Sequence, residues 1–98
     1  MLTIPKKYLE SLKRILEWHK RNYSEIDFII YIEHLISAFD FANKSTDEIS
    51  INLDGKSYWY YIRESVYDAK MNIPLDGIET KDIVEIHEWA NENYLHSK

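Results

Sequence analysis

"ISINLDGKSYWYYIRESVYDAK", residues 49–70, is the stretch on which the fold turns. Its first part alternates apolar and polar residues up to the Asp54-Gly55 pair, which is a hairpin signal. Its second part places Tyr58, Ile62, Val66 and Ala69 on one line at helical spacing, with Tyr61 beside it. Just upstream, "STDE" from Ser45 to Glu48 has the form of a capping box and would open a short helix stopping near Gly55. Residues 47–56 are thus open between a short helix and a hairpin. The helical spacing beyond Gly55 tilts the reading toward helix, continuing to about Met71 and ended by Pro74. The stretch also holds four consecutive rings, Tyr58, Trp59, Tyr60 and Tyr61. One face of one element buries about half of such a run. The remaining rings are expected at the surface.

Three further helices flank this segment. Residues 5–21 form the first, with Pro5 suited to a first helical turn. Tyr8, Leu9, Leu12, Ile15, Leu16 and His19 recur along it at spacings of three and four, and Lys20, Arg21 and Asn22 close it. Ser24 is placed to cap the second helix, with Asp27 three residues on. Phe28, Ile32, Leu35, Phe39 and Ala42 make its main stripe, Ile29 and Ile36 widen it, and Ile30 and Tyr31 lie off it. A helix this apolar is either central in a bundle or carries a second contact face, and central is the favoured reading. After the loop "LDGIET", Thr80 is placed to cap the fourth helix, with Asp82 in its first turn. Ile83, Ile86, His87, Ala90 and Tyr94 line one side, Trp89 lies beside them, and "LHSK" is expected to fray.

The composition agrees with this pattern. Two Gly and two Pro in 98 residues leave little material for the repeated turns of a sandwich or barrel. The expected architecture is all-α, a small single-domain four-helix bundle spanning residues 1–98. The absence of cysteine excludes disulfides and thiolate chemistry and suits a reducing cytoplasm. No run has signal-peptide or membrane-span length, so a soluble cytoplasmic protein is expected.

Charge is unevenly placed. Residues 1–21 hold six basic and two acidic side chains, whereas residues 22–98 hold six basic and 15 acidic ones, a balance of −9. Such a body repels phosphates and favours a basic partner. The basic side chains Lys6, Lys7, Lys13, Arg14, Lys20 and Arg21 spread around the first helix and build no groove, so nucleic-acid binding is not expected. Two acids among them also argue against a membrane-lying helix.

No catalytic constellation can be assembled. There is no glycine-rich phosphate loop or dinucleotide fingerprint. His19, His34, His87 and His96 are scattered, and Glu85 and His87 lie about 200° apart on a helix. Each histidine reads as a half-buried helix residue. No enzyme activity, cofactor or metal is expected.

An acidic helical domain with surplus rings remains. Tyr and Trp concentrate at binding hot spots, and surrounding acids would steer a basic partner. The competing reading places Tyr58, Tyr61 and Ile62 in the core, with Trp59 packed over a neighbouring helix.

At Asp54 the chain resembles the colicin- and pyocin-type nuclease immunity proteins, small acidic four-helix proteins. In that family Asp-Gly or Ser-Gly is followed after four residues by a Tyr-Tyr pair, and "DGKSYWYY" places Tyr60 and Tyr61 at that spacing. "DIVEIHEWANEN" is similar to the family's fourth-helix pattern, with one residue fewer between Ile and Trp, and "IEHLI" resembles its second helix. Ser57 stands where the family has Asp, and Ile62 where it has Pro. "YIEHLISA" and "ESVYDAKMNIPLDGIETKDIVEIHEWA" also look like small helical immunity proteins of the Maf type. The resemblance implies a bundle that binds and neutralises a cognate toxin, a basic nuclease domain. Tyr60 and Tyr61 would be its anchors, with Trp59 and Asp54 beside them, and Glu25, Asp27 and Glu33 would supply specificity. The alternative is a self-associating helical protein, a homodimer that buries Ile29, Ile30, Tyr31 and Trp59.

Overall fold

A computed structural model of the chain describes residues 1–42, 46–73, 75 and 77–97. The element order is β1 (Leu2–Pro5), α1 (Lys6–Asn22), α2 (Ile26–Phe41), β2 (Glu48–Ile51), α3 (Gly55–Lys70) and α4 (Thr80–His96). Among the described residues, four helices and a two-stranded sheet make a mostly-α fold.

The alternation in "ISI" is a strand signal, but its partner is distant in sequence. β2 pairs antiparallel with β1, in the register Leu2 to Ile51, Thr3 to Ser50 and Ile4 to Ile49. The expected short helix or hairpin over residues 47–56 is therefore corrected to a strand paired with the N-terminus. The Asp54-Gly55 pair turns no hairpin because it starts a helix. The Asp54 carboxylate accepts from the Lys56 N–H at 3.2 Å and from the Ser57 hydroxyl at 2.8 Å, which is N-cap geometry. That hydroxyl bond, with the Lys56 N–H, holds the Asp54 carboxyl below its ordinary range. Leu2, Ile4, Ile49 and Ile51 share the buried face of the sheet, while Thr3 and Ser50 face outward. A two-stranded ribbon is marginal alone. This one persists because those four side chains join the helical core. Pro5 ends the ladder, having no N–H to give, and the Lys6 N–H donates to the Asp47 carbonyl at 2.7 Å.

Helix limits follow the sequence closely, and the caps less so. α2 begins at Ile26 with Glu25 in the cap position and no side-chain cap bond, so the box expected from Ser24 to Asp27 does not form. Thr80 is the first helical residue of α4 rather than its cap, with Glu79 before it. The end of α4 holds its helix through His96. Ser45 as a cap and Pro74 as the stop of α3 fall outside the described residues.

One core joins all elements. Leu9, Leu12, Ile15 and Leu16 from α1 meet Ile62, Val66 and Ala69 from α3, with Ile83, Ile86 and Ala90 from α4 on one flank. Ile32, Leu35 and Phe39 of α2 cover the other flank. α1 and α3 are thus the central pair, and the expectation of a central α2 is corrected. Apolar residues occur all around α2, so one packed face cannot take them all. Ile26, Ile30 and Phe41 consequently stand exposed, Phe41 at 91%. Lys13 to Asp40 at 2.6 Å and Lys20 to Glu33 at 3.3 Å tie basic α1 to α2. Between α3 and α4 a bridge joins Leu75 to Ile78 around Gly77, whose φ of 81° favours glycine. The Arg14 guanidinium donates to the Gly77 carbonyl at 3.4 Å.

Candidate partner-binding surface

The four rings at the start of α3 divide in two. Tyr58 and Trp59 are buried, whereas Tyr60 is 40% exposed and Tyr61 is half-buried. Trp59 packs edge-on against Trp89 of α4 at 5.1 Å, and Trp89 in turn meets Tyr8 of α1. The competing core reading therefore holds for Trp59. It is a core residue and offers no free face, which corrects its expected place among the binding residues. Tyr58 points toward α2, where its hydroxyl is hydrogen-bonded to His34 Nδ1 at 3.1 Å.

Tyr60 and Tyr61 lie on the α2 side of α3. Tyr61 stacks on Tyr31 at 4.1 Å, with an interplanar angle of 15°, and meets Phe28 edge-on at 4.8 Å. Tyr31, off the main stripe of α2, thereby finds its partners among the rings of α3. Burial beside Tyr31 and Asp27 raises the Tyr61 hydroxyl above its ordinary pKa, so it stays a neutral donor at physiological pH.

A recess of about 280 Å³ opens next to these rings, where the end of α1, the start of α2 and the middle of α3 meet. Its aromatic lining is His19, Tyr23, Phe28 and Tyr60, and its acidic lining is Glu25, Glu64 and Asp68. His19 is 3% exposed and is held between Tyr23 at 4.4 Å and Phe28 at 4.9 Å, stacked on both. Burial lowers its pKa below 6.5, against the pull of Glu25 and Glu64. Burial raises that of Asp68, helped by Glu25. Its Nδ1 lies 3.5 Å from Asp68 Oδ2 yet makes no hydrogen bond. With the imidazole held neutral, the proximity is not an ion pair.

The structure brings Tyr60, Tyr61, Glu25 and Asp27 to one surface. Asp54 is engaged in the cap of α3, and Glu33, further along α2, is paired with Lys20. Sequence reasoning missed Tyr23, Glu64 and Asp68. Glu64 and Asp68 follow Tyr60 at steps of four, so the helix places all three on one face. Tyr23 lies past the end of α1, where no periodicity points to it.

A larger recess of about 530 Å³ lies between α1 and the segment after α3, lined by Arg14, Glu17, Trp18 and Arg21 among others. It has mixed charge, and Arg14 is turned to the Gly77 carbonyl. Size alone does not single it out, because none of the tyrosines or acids gathered on α2 and α3 reaches it. Among the described residues no group of histidine and carboxylate side chains is placed to hold a metal ion. No helix among them is long and apolar enough to cross a membrane. No protein-family model, curated protein or solved structure matches this chain.

Proposed function

We propose that this protein binds and neutralises a basic protein partner, a nuclease-type toxin domain, by stoichiometric association in the cytoplasm and without catalysis. The observation that carries this reading is the surface on which Tyr60, Tyr61 and Phe28 stand among Glu25, Asp27, Glu64 and Asp68. Rings supply contact area at low entropy cost, and acids around them accelerate capture of a basic surface. The likeness of "DGKSYWYY" to nuclease immunity proteins supports the same class. The test is retention from lysate of the host at moderate salt, with the chain as bait and mass spectrometry of what stays bound. One basic protein held at about one to one, and lost when Tyr60 and Tyr61 are changed to Ala, is the expected result. Equal retention by that variant would move the site elsewhere.

A second reading rests on a different surface. Ile26, Ile30 and Phe41 project from the outer side of α2, in a form suited to burial between two copies. Sedimentation separates the two, since a monomer runs at 11.8 kDa and a dimer at twice that.

A further inference from the structure

We propose that the recess between α1, α2 and α3 is the seat of a single arginine side chain, presented by the partner that the proposed function requires. The inference rests on that function for its occupant and on the following geometry for its chemistry. At about 280 Å³ the recess is at the small end of ligand sites, which suits one long side chain rather than a metabolite. Its mouth is open, with Tyr23 and Tyr60 both more than a third exposed. Its walls are flat rings, and its rim carries the carboxyl groups of Glu25, Glu64 and Asp68. Glu64 is already held by Arg63 at 2.6 Å. Glu25 has no cation partner among the described residues.

The buried imidazole carries the argument from an acidic patch to a ligand. His19 Nδ1 is shut off from water and unbonded, 3.5 Å from a carboxyl oxygen of Asp68. An unpaired buried polar atom is costly. With the ring proton on Nε2, Nδ1 and the Asp68 oxygen are two acceptors facing one another; with it on Nδ1, the 3.5 Å separation is still too long for a good hydrogen bond. A donor group entering from the recess meets the Asp68 oxygen directly, and satisfies Nδ1 as well once the imidazole turns to open that atom. A guanidinium brings five N–H donors in a rigid plane, stacks on aromatic faces and is weakly hydrated. An ammonium is compact and strongly hydrated, and it matches flat walls less well. The chemistry therefore selects arginine over lysine.

The test uses the full chain and three capped amino acids followed by two-dimensional amide NMR: N-acetyl-arginine amide, the lysine analogue, and the citrulline analogue, which has nearly the same shape without charge. The arginine derivative is expected to give saturable shifts at Tyr23, Glu25, Phe28, Tyr60 and Asp68. The lysine derivative should bind several-fold more weakly, and the citrulline derivative should give no such shifts. Asp68→Asn should weaken arginine binding about tenfold, as should the rim variant Glu25→Gln, with the far-ultraviolet circular dichroism unchanged. Shifts no larger with arginine than with citrulline, or located away from the recess, overturn the proposal. The two readings fail separately. If no arginine derivative binds, yet a basic protein is retained through Tyr60 and Tyr61, neutralisation stands and the arginine seat falls. If the derivative binds in the recess and no basic protein is retained, the seat stands and neutralisation falls.

Discussion

His19 Nδ1 and Asp68 Oδ2 approach to 3.5 Å across the junction of α1 and α3 without forming a hydrogen bond. Burial moves the two groups in opposite directions, the imidazole pKa downward and the carboxyl pKa upward. Both shifts favour the neutral forms, because burial is the largest cause of each and outweighs the pull of Glu25 and Glu64 on the imidazole.

The shifts set the response to acid. Unfolded His19 takes up a proton near 6.5, while the folded protein resists until lower pH. Between those points the unfolded chain holds more protons, so stability falls as pH falls through the window. His87, lowered by burial and by Lys70 and Arg63, adds the same slope. Asp68 has the reverse sign between 3.8 and its raised value, where the folded state holds the extra proton. Urea titrations at pH 7.5, 6.5 and 5.5 should show wild type losing stability stepwise. His19→Phe should lose less, His87 supplying the remainder. An unchanged slope in that variant would rule out His19 as a source.

The divided rings predict divided phenotypes. Trp59→Ala empties a core position against Trp89 and should cost about 3–5 kcal/mol in denaturant unfolding. Tyr60→Ala should change stability by less than about 1 kcal/mol, because the ring is 40% exposed. On partner binding the order reverses. Tyr60→Ala should weaken association by about 2 kcal/mol, roughly thirtyfold, when measured by calorimetry.

The sheet predicts coupling across a long sequence separation. Ile4 and Ile49 are direct cross-strand partners and both are buried. Each changed to Ala should cost about 2–5 kcal/mol. Together they should cost less than the sum, by about 0.5 kcal/mol or more, in a double-mutant cycle. Strict additivity would mean that β1 and β2 do not share one packed face.

The outer side of α2 predicts behaviour at high concentration. On the neutralising reading the free chain sediments at 11.8 kDa, and Ile30→Asp with Phe41→Ser leaves that mass unchanged. A species of twice the mass, returned to monomer by those substitutions, would instead assign the outer stripe to self-association.

Read alone, the chain shows four helices, because Tyr58, Ile62, Val66 and Ala69 in α3, and comparable lines in the others, repeat at a spacing only a helix can bury on one side. Pro5 marks one helix start for a local steric reason, whereas Gly55, read from the sequence as a helix stop or hairpin turn, is where α3 begins. The alternation in "ISI" admits extended backbone, but the capping box before it and the helical spacing beyond Gly55 tilt the reading to helix, and the strand is decided by pairing. The alternation cannot name the partner strand, because pairing depends on which distant edge the tertiary fold brings alongside, and here that edge is Leu2–Pro5. The same limit applies to the surface. Periodicity separates the tyrosines of α3 into faces, but whether a face meets solvent or another helix is settled by packing. Trp59 goes inside because α4 lies over it, and Tyr60 stays partly out because it meets Phe28 of α2 and Tyr94 of α4 only at centroid distances of 6.3 and 6.1 Å, with Tyr61 beside it. The recess is tertiary altogether. His19, Glu25 and Asp68 come from three helix regions with no shared period, and only the convergence of α1, α2 and α3 makes them neighbours.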